Sequence, residues 1–130
     1  MEGQGFPRTA RLLKHSDFDR VYKQGRRHFS PHMTVFYLER PADASGAAGT
    51  RVGFTVGRAL GGAVERNRIK RRLREAVRLR RSAFSGVAAA DVVINPKKSV
   101  LTLEFQVVLE EVGRAFDAIA KATRKKKAEA

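Results

Sequence analysis

The sequence predicts an α+β fold, a small sheet with helices packed against it. Three observations predict it. Runs rich in β-formers recur at 32–39, 51–57 and 91–96. Between the second and third lies a stretch, Gly61 to Phe84, whose apolar residues recur at helical rather than strand spacing. A last helical stripe runs through Phe105, Leu109, Val112, Phe116 and Ile119.

The chain has 130 residues, which suits a single domain, 1–130, with one modest core. Its net charge of +14 costs self-repulsion unless a polyanion offsets it. Nucleic acid is the first expectation for that partner and an anionic membrane surface the second. The chain has no cysteine, so disulfides and cysteine-based metal sites are excluded. No apolar run approaches the roughly 20 residues a membrane span needs. The opening MEGQGFPRTARLL lacks the apolar core of a signal peptide, so a cytoplasmic location is expected.

Residues 1–11 contain Gly3, Gly5 and Pro7 without periodicity and read as a mobile arm. Ser16 reads as the cap of a short helix, with Asp17 in the first turn and Asp19 completing a rough capping box. Phe18, Val21 and Tyr22 share one face of that helix, and Gly25 ends it. An aromatic pair four residues apart packs a core or offers a stacking platform for bases, and pattern alone leaves both open.

HMTVFYLE, 32–39, reads as a strand. Period two puts His32, Thr34, Phe36 and Leu38 on one face and Met33, Val35 and Tyr37 on the other. Neither face is purely polar, so both are expected to be covered. The small-residue segment 40–50 reads as a loop joining this strand to RVGFTVG, 51–57, as a hairpin. DVVINP, 91–96, reads as a short buried strand stopped by Pro96, and Thr102 as the cap of the final helix. Gly113 reads as a tolerated weakness in that helix. The basic tail 123–130 is expected to fray.

The stretch GGAVERNRIKRRLREAVRLRRSAF organises the rest. Nine of the sixteen residues from Arg66 to Arg81 are Lys or Arg. On a helix, Ile69, Leu73, Ala76, Val77 and Phe84 form an apolar stripe. Asn67, Lys70, Arg71, Arg74, Arg78 and Arg81 form a basic row on another face, with Glu75 expected away from it. Glu65 near the first turn suits the positive end of the helix dipole, and Gly86 suits a helix stop. An ordinary solvated face would mix its signs; this one predicts contact with a polyanion.

Nothing in the chain offers a catalytic or metal site. His15, His28 and His32 have no metal-ligand spacing and read as satisfied or solvent-facing. No Walker loop, G-x-G-x-x-G or acidic cluster is present. A cationic helix with an aromatic pair and a strand carrying Thr34 and Phe36 points to RNA rather than DNA.

RVGFTVGRALGGAVERNRIKRRLRE, 51–75, resembles the signature region of the bacterial ribonuclease P protein subunit. The likeness centres on Arg66-Asn67-Arg68 with Ile69, Lys70, Arg71 and Arg74. Ser16-Asp17-Phe18 with Tyr22 and Gly25, the strand at 32–39 and Asn95-Pro96 extend it over about residues 8–122. The resemblance implies a ribosomal-protein-like two-layer fold with a mostly antiparallel sheet. It also implies a left-handed βαβ crossover, against the usual right-handed rule. It implies an accessory protein of a ribonucleoprotein endonuclease that removes the 5′ leader of precursor tRNA. The RNA subunit, binding most of the Mg²⁺, would catalyse, and no cofactor of the protein alone is predictable. Arg66, Asn67, Arg68, Lys70, Arg71 and Arg74 would then contact the RNA subunit. Phe18, Tyr22, Thr34, Phe36 and Arg58 would line the leader cleft. A structural RNA-binding protein of ribosomal type is the competing expectation. A membrane binder fits less well, because the helix lacks Trp and needs its apolar face for the core.

Overall fold

The computed structural model describes residues 14–40, 50–84 and 89–129; the arm at 1–11, most of the 40–50 loop and Gly86 lie outside them. Helix α1 is His15–Gln24, followed by strands β1 (Arg26–Ser30), β2 (Met33–Glu39) and β3 (Arg51–Phe54). Helix α2 (Ala63–Arg80), strand β4 (Ala90–Pro96) and helix α3 (Phe105–Glu129) complete the order. The architecture is α+β, as expected.

The sheet runs β1-β2-β4-β3. β1 pairs antiparallel with β2, and β2 with β4, while β3 runs parallel to β4. The crossover β3–α2–β4 is therefore present. The hairpin expected between 32–39 and 51–57 is not: β4 stands between them. Its run Val92-Val93-Ile94 is wholly buried, and a continuous apolar run is what a strand covered on both faces needs. β2 hairpins instead with β1, a strand the sequence reading missed, through the two-residue turn Pro31–His32.

The two faces of β2 part as period two requires. Met33 and Val35 pack with Val52, Val92 and Ile94 against α2 and α3. The α2 stripe Ile69, Leu73, Ala76 and Val77 meets α3 through Val108, Val112, Ala115, Phe116 and Ile119, all fully buried. Phe105 and Leu109 lie at the margin of this core. On the other face Val21 and Val93 form a smaller cluster ringed by Phe18, Tyr22, Phe36 and Leu38. Both faces are covered, but α1 covers only part of its side.

Several local readings change. Helix α1 starts at His15, with Lys14 at the cap position, so Ser16 lies inside the first turn. Asp19 pairs with His15 at 3.6 Å rather than closing a capping box. Thr102 closes the 3-10 turn Lys98–Leu101; the carbonyl of Glu104 takes the first bonds of α3. Gly113 makes room for a neighbour: a Cβ there would stand 3.2 Å from Arg80 Nε. Helix α3 continues to Glu129 with Thr123 buried, so its backbone carries on through most of the expected tail. Gly25 ends α1 as predicted, for reasons of close approach: a Cβ would meet Val21 O at 2.5 Å and Tyr37 O at 2.6 Å.

A buried ion cluster ties the elements together. Asp91, fully buried at the start of β4, accepts hydrogen bonds from Arg51 Nε at 2.9 Å and Nη2 at 2.8 Å. Arg20 Nη2 donates to Asp91 at 3.0 Å and to Asp17 at 2.9 Å. Arg40 Nε lies 3.1 Å from Asp91. The hydrogen bond to Asp91 raises the Arg51 pKa above its ordinary value. Burial pushes the Arg40 guanidinium down, with Asp91 opposing. Asp91→Ala would leave three guanidiniums facing one carboxylate. Removing one partner from a buried ion network costs about 3–5 kcal/mol, a large share of a small domain's stability. Urea denaturation of the variant should show a midpoint lowered accordingly. A midpoint at the wild-type value would show that water replaces the carboxylate.

Candidate nucleic-acid interface

Two surfaces present what the sequence singled out. The first is the outer side of α2. Gly61 precedes it with φ of 129°, a conformation that suits only glycine. Gly62 N–H donates to Glu65 Oε1 at 3.0 Å, and Gly62 O accepts from Arg66 N–H at 2.9 Å, which starts the helix. The apolar stripe then holds α2 on the core and fixes which side chains face outward.

Asn67, Lys70, Arg71 and Arg74 line an open concavity of about 360 Å³. Arg68, Arg71 and Arg74 are exposed and Lys70 is partly so. Among the described residues none of these four cations enters an ion pair. Arg66 is half-buried and its Nε donates to Gly61 O at 3.2 Å. Two basic residues of the helix do other work. Arg72 Nε donates to Val100 O at 3.0 Å and its Nη2 to Leu103 O, tying α2 to the segment before α3. Arg78 meets Glu75 through Nε at 3.0 Å and Nη2 at 2.5 Å, which holds the Glu75 carboxyl below its ordinary pKa. Glu75 was expected away from the basic row; it neutralises one member of it, because positions three apart are neighbours on a helix.

The second surface lies between α1 and the sheet. The rings of Tyr22 and Phe36 meet edge-to-face at 4.9 Å and 88°. Tyr22 Oη donates to Asn95 Oδ1 at 2.9 Å and sits 2.5 Å from Thr55 Oγ1. Thr34 pairs directly with Asn95 and Phe36 with Val93, so both rise from the floor on one face. Phe18 packs at the edge of the same cluster. The structure thus brings Phe18, Tyr22, Thr34 and Phe36 together. Arg58 is exposed on the 3-10 turn Arg58–Leu60, three residues beyond Thr55. Its link to the cleft is the chain from Thr55.

Sequence reasoning did not place Thr55, Asn95, Arg27 or Phe29 here. Arg27 stands over the Phe36 ring at 5.3 Å. The signals were present: Ser30-Pro31 marks a turn, and Arg27 and Phe29 alternate with the residues that face α3. Of the histidines, His32 Nδ1 lies 2.7 Å from Ser99 Oγ, and its Nε2 is 3.7 Å from the buried carboxylate of Glu111. No group of three or more His, Asp or Glu among the described residues could hold a metal ion. No helix of the described residues is long and apolar enough to cross a membrane.

A cationic helix on one side of a mixed sheet and an aromatic cleft on the other are features that a basic nucleic-acid-binding protein combines. The Ribonuclease P family matches residues 6–120. A ribonuclease P protein component from Desulforapulum autotrophicum is 37% identical over 121 residues, covering 93% of this chain and 97% of that protein. Another from Oleidesulfovibrio alaskensis is 45% identical over 92 residues, covering 70% and 69%. The RNase P protein of Thermotoga maritima superposes with a TM-score of 0.70 at 25% identity, covering 83% of this chain and 96% of that one. That of Staphylococcus aureus gives 0.68 at 25%, covering 88% and 97%.

The chain belongs to the ribonuclease P protein family, the protein subunits of the ribonucleoprotein endonuclease of tRNA processing.

The cleft geometry gives one expectation. Tyr22→Phe keeps the ring against Phe36 and removes only the hydroxyl. Each hydrogen bond lost to Asn95 and Thr55 costs about 0.5–1.5 kcal/mol net. Together they amount to about 1–3 kcal/mol, so the melting temperature should fall by roughly 4–11 °C. An unchanged value would mean that solvent satisfies Asn95 and Thr55 equally well.

Proposed function

We propose that this chain binds the RNA subunit of ribonuclease P through α2 and holds the 5′ leader of precursor tRNA in the cleft beside α1. The observation that carries the reading is the segregation of charge: Arg68, Lys70, Arg71 and Arg74 face outward without ion-pair partners among the described residues. A polyanion that neutralises them releases condensed counterions, which drives binding. Arg66 and Asn67, near the start of the same helix, complete the contact set.

Phe18, Tyr22, Thr34 and Phe36 form the wall and floor for unpaired nucleotides, with Arg58 a cation beyond Thr55. Aromatic faces accept any base, so such a cleft suits leaders of varied sequence. Catalysis belongs to the RNA subunit, and Mg²⁺ bound mainly by that RNA would supply the charge stabilisation that phosphodiester cleavage needs. The protein's part is to position the leader. A ribosomal-type structural role would use the same basic helix but would not separate precursor from mature tRNA.

Two measurements check the reading. Replacing Lys70, Arg71 and Arg74 by Ala should weaken RNA-subunit binding while leaving the fold intact, since all three lie off the apolar stripe. Each lost phosphate contact should flatten the log–log salt dependence by roughly 0.7 to 0.9; a normal fold with an unchanged slope removes this face from the interface. Phe36→Leu keeps much of the apolar volume but loses the stacking face. In reconstituted holoenzyme it should weaken binding of precursor tRNA by roughly 5- to 150-fold and leave mature tRNA unaffected. Equal losses for both tRNAs would return Phe36 to the core.

A further inference from the structure

The aromatic floor does not stop where α1 stops. β1 lies beyond the helix on the same face of the sheet. Phe29 pairs directly with Thr34, and Arg27 with Phe36, so Arg27 and Phe29 stand on the cleft side. The other side of β1 packs on α3. Phe29 is 69% exposed, although it is an aromatic residue in a strand. Its neighbour Arg27 is exposed too and keeps its guanidinium over the Phe36 ring. An uncovered aromatic face beside a cation, continuous with Phe36, is the pattern that a single-stranded nucleic acid recognises.

We propose that Phe29, with Arg27 beside it, forms an outer stacking step for single-stranded RNA, one position beyond Phe36 toward the β1–β2 turn. The step takes a leader nucleotide more distal than those held between α1 and the sheet, with Arg27 facing the phosphate between the two bases. The proposal rests on the leader-cleft reading above. β1 is also an edge strand and could template pairing with a second copy. Arg26 and Arg27 oppose that: two copies paired edge to edge would bring like charges together, whereas a polyanion relieves them.

The experiment uses holoenzyme reconstituted with a bacterial ribonuclease P RNA and precursor tRNAs whose leaders grow one nucleotide at a time. Phe29→Ser, Phe29→Tyr and Phe36→Leu are compared with wild type, with melting curves and sedimentation of each protein. Phe29→Ser should lose about 5-fold or more in affinity, only for leaders above a threshold length. Phe29→Tyr should bind as wild type, because the π face remains. If Phe36→Leu separates precursor from mature tRNA while Phe29→Ser has no length-dependent effect, the outer step is overturned and the cleft stands. If Phe36→Leu fails to separate them, the cleft reading falls and takes the outer step with it. A loss that is the same at every leader length, accompanied by loss of a dimer in sedimentation, would assign β1 to a second copy and overturn the proposal.

Discussion

The carboxylate of Asp91 is the constraint on which the arrangement depends. It is fully buried at the start of β4 and meets guanidiniums from α1, from the segment after β2 and from β3. An isolated buried charge is prohibitively unfavourable, so β4 holds its place in the sheet only with those elements converged on Asp91. β4 is the strand to which both β2 and β3 pair. Contacts between Asp91 and Arg20 or Arg51 span 71 and 40 positions of sequence. No local signal specifies them; the cluster joins elements that only the observed sheet order brings together.

The sheet then divides the labour. One face is packed against two helices and supplies most of the apolar burial, including Phe116, the largest fully buried side chain among the described residues. That face needs α2 to bury its stripe, and this burial turns the basic row outward. Among the described residues the other face carries only α1 and the small cluster around Val21 and Val93. A ten-residue helix cannot cover four strands. What it leaves open is the cleft and, further out, β1. The same short helix both completes the minor core and leaves open the surface proposed for the leader.

Legibility follows from the range of the signals. The α2 stripe was readable because four buried residues repeat at helical spacing within one element. The cleft residues Phe18, Tyr22, Thr34 and Phe36 were readable only as two local pairs; what joins them is the packing of α1 on β2. β1 escaped because RRHFS has a single strongly apolar residue, and a strand buried on one side only needs little more. The β2–β3 pairing failed because a small-residue loop between two β-rich runs fits a hairpin and a wide connection equally well. The continuous apolar run of β4 was the clue to a central strand. Glu75 lies to one side of the basic row by helical angle, but its side chain reaches three positions along the axis to Arg78.

The position of the acids explains how a chain with net charge +14 leaves one face of α2 without carboxylates. Asp17, Asp91 and Glu111 are buried, the first two among arginines and the third against Ser30 and His32. Glu65 caps α2, and Glu75 answers Arg78 one turn below Arg71 and Arg74. Each of these carboxylates is engaged where it holds an element in place. None is left to answer Arg68, Lys70, Arg71 or Arg74, whose mutual repulsion is relieved by a polyanion and raised by nothing in the core. The pattern separates a cationic surface built for a partner from one that is merely solvated: in the former, acidic residues stay within reach in sequence but are committed elsewhere in space. Here that commitment is made by the hydrogen bonds that build the fold, so the same carboxylates that stabilise the sheet and cap the helix also keep the basic face of α2 open.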